Sequence, residues 1–338
     1  MNSVGVVVNP LAGKDLRRLV SAATHTSDAT KIGIVRRVVA AAAEAGAHEI
    51  LLAHDRHRLA ERAVEGLDAP VRFIDEELTD SRADTVTAAT RFWKEGVGAV
   101  VALGGDGTCR DIAIGWPDAP LIAISTGTNN VYPAAVDGTS AGTAAALVAL
   151  GQVALHHVSH RTKRVVMHCD DDGMGRSFDD LALVEVALIN TTFVGARAVH
   201  DPRTISAVVA AVATPASTGL SSIAGRLLPC ADSDDHGVAV HMGPGGRRLR
   251  VPLAPGSFAT MDIASARALP LDEVAVLRGP GVLAFDGERD RRLGDHATVH
   301  VRVDRNGPYR IDVAHALALA AAARRFDAPT TSEVRHAQ

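Results

Sequence analysis

Apolar residues in the first 150 positions fall into two alternating rhythms. Gly5-Val6-Val7-Val8 is an unbroken apolar run closed by Asn9-Pro10, which predicts a buried strand. Residues 31–45 (KIGIVRRVVAAAAEA) repeat apolar positions at helical spacing and stop at Gly46. The alternation continues with strands at Glu49–Ala53, Val71–Asp75, Ala99–Leu103 and Leu121–Ser125. Helices are predicted at Arg56–Glu65, at Asp80–Glu95 with Asp80 or Ser81 as its N-cap, at Thr108–Ile114 and at 140–150. Strands that alternate with helices imply a parallel sheet covered on both faces.

After Gly151 the rhythm changes. Residues 152–169 alternate without helical punctuation, 181–190 read as a strand, and 203–214 read as a short helix. From about 236 onward come short β runs: Val238–Met242, Arg247–Val251, Ser257–Ile263, Glu273–Leu277, Gly281–Asp286 and Ala297–Asp304. Turns such as Gly243-Pro244-Gly245-Gly246 and Gly279-Pro280-Gly281 separate several of them. An Ala-rich helix spans about 314–326, followed by a polar tail. The fold class is therefore α/β, a Rossmann-like N-terminal domain with a parallel sheet plus an antiparallel, sandwich-like β-rich domain. The expected boundaries are 1–150, 151–312 and 313–338, the last segment packing back on the first domain.

Composition narrows the partners. Of the 338 residues 47% are hydrophobic but only 3% aromatic, so Ala, Val, Leu and Ile must build the core. The formal charge is −4 and no long Lys/Arg run occurs, which argues against nucleic acid or an anionic membrane as the main partner. Cys109, Cys169 and Cys230 are too widely spaced for a zinc motif or a disulfide framework. A strand entered by Val4 leaves no room for a signal peptide, and no apolar stretch is long enough to span a bilayer. A cytoplasmic protein without a stable membrane anchor is expected.

Four short segments carry candidate chemistry, each just past a strand end or at a turn. Gly104-Gly105-Asp106-Gly107-Thr108 is the most specific: its glycines let backbone amides approach a phosphate, and Thr108 is placed to cap the next helix. A lone carboxylate among phosphates suits a metal ion or a hydroxyl proton. Asn9-Pro10-Leu11-Ala12-Gly13-Lys14 reads as a phosphate-binding turn with Lys14 as its cation, or as an ordinary strand-ending turn. Ser125–Asn130 offers hydroxyls and amides for ribose or phosphate, or a helix cap. Asp286-Gly287-Glu288 suits a hairpin turn, or Mg²⁺ and an acceptor hydroxyl. The Gly138-Thr139-Ser140-Ala141-Gly142 match to a hydrolase elbow lacks the preceding strand, so Ser140 is read as a helix cap.

Asn-Pro-x-x-Gly, Gly-Gly-Asp-Gly-Thr, Gly-Thr-x-Asn and Asp-Gly-Glu, in this order, resemble the superfamily of NAD kinases, diacylglycerol kinases and sphingosine kinases. Within it the chain is most similar to ATP-NAD kinase-like proteins of the acetoin-catabolism X type, over roughly residues 4–325. The resemblance implies a two-domain kinase that uses ATP and Mg²⁺, with its site in the interdomain cleft. It implies Asp106 as base or metal-linked carboxylate; beside it, Glu288 is a candidate catalytic residue and Asp286 the candidate metal ligand. Nucleotide contacts are implied for Gly104, Gly105, Gly107, Gly127, Thr128 and Asn129, and Asn9, Gly13, Lys14, Thr108 and Asn190 complete the candidate binding set. NAD kinases carry an Asn-Glu pair on a β-domain strand. Here Asn190 is followed by Thr191, so the match is weakest on the acceptor side. NAD is the leading small-molecule acceptor; a lipid or sphingoid acceptor and a non-catalytic nucleotide-binding regulator are the alternatives. A homo-oligomer is expected.

Overall fold

The computed structural model describes residues 2–13, 26–127, 130–191 and 201–327. The N-terminal rhythm resolves into parallel strands β1 (Ser3–Val8), β2 (Glu49–Leu52), β3 (Val71–Phe73), β4 (Ala99–Gly104) and β5 (Pro120–Ser125). Helices α1 (Asp28–Glu44), α2 (Leu59–Val64), α3 (Arg82–Lys94), α4 (Asp106–Gly115) and α5 (Gly138–Ala149) cover both faces. The central strands β1, β4 and β5 are apolar over nearly their whole length because successive side chains enter different cores. Val4, Val6 and Val8 meet α1 and α5 through Val35, Val38 and Ala145. Val7, Val100 and Ala102 meet α3 and α4 through Ala89, Phe92 and Ile112. Asp137, not Ser140, caps α5, accepting from the Thr139 amide.

The chain then passes through α6 (Leu155–Val158), which carries His156 and His157, into β6 (Ser159–Arg161). A strand near the other end of the chain, β17 (Tyr309–Ile311), joins the same sheet. The full order is β3-β2-β1-β4-β5-β17-β6, with only the β17–β6 pair antiparallel. Hydrogen bonding thus carries this sheet beyond residue 150.

The remaining strands form two antiparallel sheets. Strands β7 (Arg164–Cys169), β8 (Phe178–Ala182), β13 (Ala275–Arg278) and β16 (Thr298–Asp304) pair in the order β13-β16-β7-β8. Strands β9 (Glu185–Ile189), β10 (Ile205–Ala210), β11 (His236–Ala254), β12 (Ser257–Pro270), β14 (Gly281–Phe285) and β15 (Glu288–Leu293) pair as β12-β11-β10-β9-β14-β15. Val165, Met167, Val299 and Val301 of the first sheet pack on Val186, Leu188, Val209 and Phe285 of the second. The outer face of the six-stranded sheet packs on α7 (Ser221–Gly225). Helix α8 (Val313–Ala322) returns to the first domain, where Ala316 and Ala320 join the core under α5.

Three details differ from the sequence reading. Residues 203–214 hold strand β10 rather than a helix; a run buried on both faces has no distinguishing period. Gly243–Gly246 is no turn: both Met242 and Arg247 register with Ile263, so the four residues bulge out of β11. The expected strand 181–190 breaks at Leu183–Val184, between β8 and β9.

Candidate active site

Strand order reverses between β1 and β4, so the loops that leave their carboxyl ends diverge and open a crevice. The Asn9 amide donates to Leu103 O (2.9 Å), and its side-chain Nδ2 donates to Thr108 Oγ1 (2.8 Å). One asparagine therefore ties the first loop to the second. From below, the Lys31 Nζ of α1 donates to the carbonyls of Asn9 (3.1 Å), Pro10 (2.8 Å) and Ala12 (2.8 Å). Lys31 is fully buried.

The glycines of the second loop and of the segment after β5 have different tasks. A Cβ on Gly104 would lie 2.3 Å from Thr108 Oγ1; one on Gly127 would lie 2.5 Å, and one on Gly105 3.0 Å, from Asn130 Oδ1. These three give room to neighbouring side chains. A Cβ on Gly107 would meet nothing within 4 Å, so its backbone is left bare in the cleft. Gly107→Ala is expected to weaken nucleotide binding with little change in melting temperature. Gly104→Ala is expected to cost about 1–3 kcal/mol through overpacking. Equal melting temperatures for the two variants would contradict this division.

Asp106 opens α4, and Gly105 holds the cap position expected for Thr108, whose hydroxyl serves Asn9 instead. The Asp106 carboxylate accepts from the amides of Val131 (3.1 Å) and Tyr132 (2.8 Å), which fixes its orientation. The opposite wall comes from the β14–β15 turn. Asp286 and Gly287 sit at φ 49° and 81°, the left-handed pair of a tight hairpin. Asp286 turns inward and accepts from the amides of Leu183 (3.1 Å), Val184 (2.8 Å) and Glu185 (3.3 Å), holding the break between β8 and β9. Burial pushes this carboxyl up, against the pull of Arg110. Glu288 begins β15 and lines the cleft.

Arginine–carboxylate pairs cluster at the cleft, and Arg82–Asp290, Arg110–Asp180 and Arg110–Asp290 bridge the two domains. Arg82 NH2 lies 2.9 Å from Asp111, and Arg82 NH1 lies 2.5 Å from Asp290. Arg110 donates to Asp180 (2.7 Å) and to Leu181 O (2.6 Å), and stacks 4.4 Å over the Phe285 ring. Burial works against the Arg110 charge, but Asp180, Asp286 and Asp290 outweigh it.

The Asp111 carboxyl is pushed up to about 7 by burial, which outweighs Arg82 and Arg110. Between about pH 4 and 7 the folded chain therefore binds a proton that the unfolded chain has lost, and stability falls as pH rises through that window. At about 1.4 kcal/mol for each pH unit of that window, the loss has an upper limit of about 4 kcal/mol. Urea midpoints from pH 4.5 to 8 should show the stability of wild type relative to Asp111→Asn declining with pH. Parallel curves would refute it.

A cleft of about 520 Å³ thus gathers Asn9, Gly13, Gly105, Asp106, Gly107, Thr108, Gly127, Asp286 and Glu288 from distant parts of the chain. Gly104 and Asn190 are not among its described lining residues; Asn190 follows β9 and donates its amide to Thr204 O (2.6 Å). Lys14, Thr128 and Asn129 lie outside the described residues. Sequence reasoning missed Lys31, Arg82, Arg110, Asp111 and Asp290. Lys31 alone left a trace, since it continues the buried stripe Val35, Val38, Val39 and Ala42 of α1. The acidic oxygens of the cleft match a hard divalent cation.

The ATP-NAD kinase N-terminal domain matches residues 4–153, and the acetoin catabolism protein X C-terminal domain matches residues 163–306. Acetoin catabolism protein X of Cupriavidus necator is 34% identical over 324 residues, covering 92% of this chain and 90% of that protein. Yeast NADH kinase, solved in complex with NADH, superposes with a TM-score of 0.54 at 13% identity, covering 97% of this chain and 89% of that one. At that identity the likeness concerns the fold. No helix among the described residues is long and apolar enough to cross a membrane.

Proposed function

Because this chain belongs to the acetoin catabolism protein X family, we propose that it is an ATP- and Mg²⁺-dependent kinase that phosphorylates a hydroxyl of a small molecule, with the ribose 2′-OH of NAD as the leading acceptor. The observation that carries this reading is Asp106: a fixed carboxylate at the mouth of α4, beside the bare backbone of Gly107, in one cleft with Glu288. Phosphoryl transfer asks mainly for alignment and charge neutralisation. Gly107 and the α4 N-terminus receive phosphate oxygens. Asp106 takes the proton of the acceptor hydroxyl as that oxygen bonds to phosphorus and ADP departs. Glu288 orients the acceptor, and Asp286 with Glu288 would hold Mg²⁺, which neutralises phosphate charge when bound.

A second reading has its own observation. Asp106 and Asp286 each hold backbone amides, so a non-catalytic nucleotide-binding regulator would need both carboxylates for the fold alone. The assay that separates the two readings incubates the protein with ATP, Mg²⁺ and NAD and measures NADP and ADP. Nucleotide binding without phosphoryl transfer, to NAD or to a panel including diacylglycerol, would sink the kinase reading.

A further inference from the structure

We propose that Arg82 and Arg110 form an anion receptor in the cleft and that Asp290 fills it as a built-in placeholder, displaced when polyphosphate enters. The identity of that polyphosphate as a nucleotide rests on the kinase reading; the receptor itself does not. A single oxygen, Asp290 Oδ2, accepts from both guanidinium groups: from Arg82 NH1 at 2.5 Å, and from Arg110 NH1 and NH2 at 3.3 and 3.4 Å. The Arg110 distances are long for charge-assisted bonds, so one carboxylate fits two planar forks poorly.

Asp290 is also the most exposed carboxylate of this group, in which Asp180 is shared with Arg291. Arg82 has Asp111 and Arg110 has Asp180, with side chains 11% and 9% exposed, whereas that of Asp290 is 34% exposed. Its backbone position points the same way. Leu283 registers with Arg291 and Ala284 with Arg289, which leaves Asp290 as the extra residue of a β-bulge. Bulges beside clefts re-aim one side chain without disturbing the strand. Arg82 is the first residue of α3, where the positive end of the helix disfavours a cation. A cation kept at such a place suits an incoming anion. A terminal phosphate offers three oxygens where the two arginines share a single oxygen of Asp290, so each arginine gains its own acceptor.

The test is direct binding of inorganic tripolyphosphate by calorimetry, with no acceptor and no turnover. Asp290→Asn and Asp290→Ser should each bind it about fivefold tighter than wild type, from removal of one competing exposed pair. Arg82→Gln should bind it at least about tenfold more weakly, and Asp290→Asn should gain nothing when added to Arg82→Gln. Unchanged or weaker binding by both Asp290 variants, with melting temperatures close to wild type, would overturn the placeholder. An active kinase with that result refutes the placeholder alone. Tighter binding without any phosphoryl transfer refutes the kinase reading alone.

Discussion

Asp106→Asn is expected to lower phosphoryl transfer about 10²- to 10⁴-fold, the usual range for loss of a positioned general base. The loss should appear in kcat, with KM for ATP changed much less, because the proton is taken only as the new bond forms. The fold should survive. Asparagine keeps an oxygen for the Tyr132 amide, which approaches one carboxylate oxygen at 2.8 Å. A melting temperature near wild type with a kcat reduced at least a hundredfold is the expected pair of results. An Asp106→Asn protein that turns over at the wild-type rate would reduce this carboxylate to a fastener for residues 131–132.

Lys31→Met should produce the largest loss of stability. Its ammonium is fully buried and serves three carbonyls of the first loop. Methionine fills most of the stem's volume but donates nothing. Each buried acceptor left unsatisfied costs about 1–3 kcal/mol, so a total of about 3 kcal/mol is a conservative expectation. The slackened loop should also weaken nucleotide binding, because Asn9 ties it to Thr108. Lys94→Met, at an exposed position on α3, provides the control. Equal urea midpoints for the Lys31 and Lys94 variants would show that water replaces the ammonium without cost.

The α/β half was legible because its period switches cleanly between strand and helix, and glycine, proline or asparagine punctuates several of the boundaries. The strand at 205–210 was not, because a run buried on both faces carries no period. The same division holds in the site. Asp106, Glu288 and the glycines lie in short contiguous motifs at strand ends or turns, where local sequence announces them. Arg82 meets Asp111 across 29 positions and Asp290 across 208, and only the tertiary fold brings such partners together. Lys31 lay between these cases: a charged residue in register with an apolar stripe signals a buried partner, here a set of carbonyls.

The pairing of β6 with β17 has a topological consequence. The chain leaves the first sheet after Arg161 and re-enters it at Tyr309, and these two residues are direct neighbours across the ladder. The β-rich unit is thus an insertion into the α/β unit, attached by two connections placed side by side. No single cut can separate them. A fragment ending at residue 150 would lose two strands and leave β5 with an open hydrogen-bonding edge, a template for aggregation.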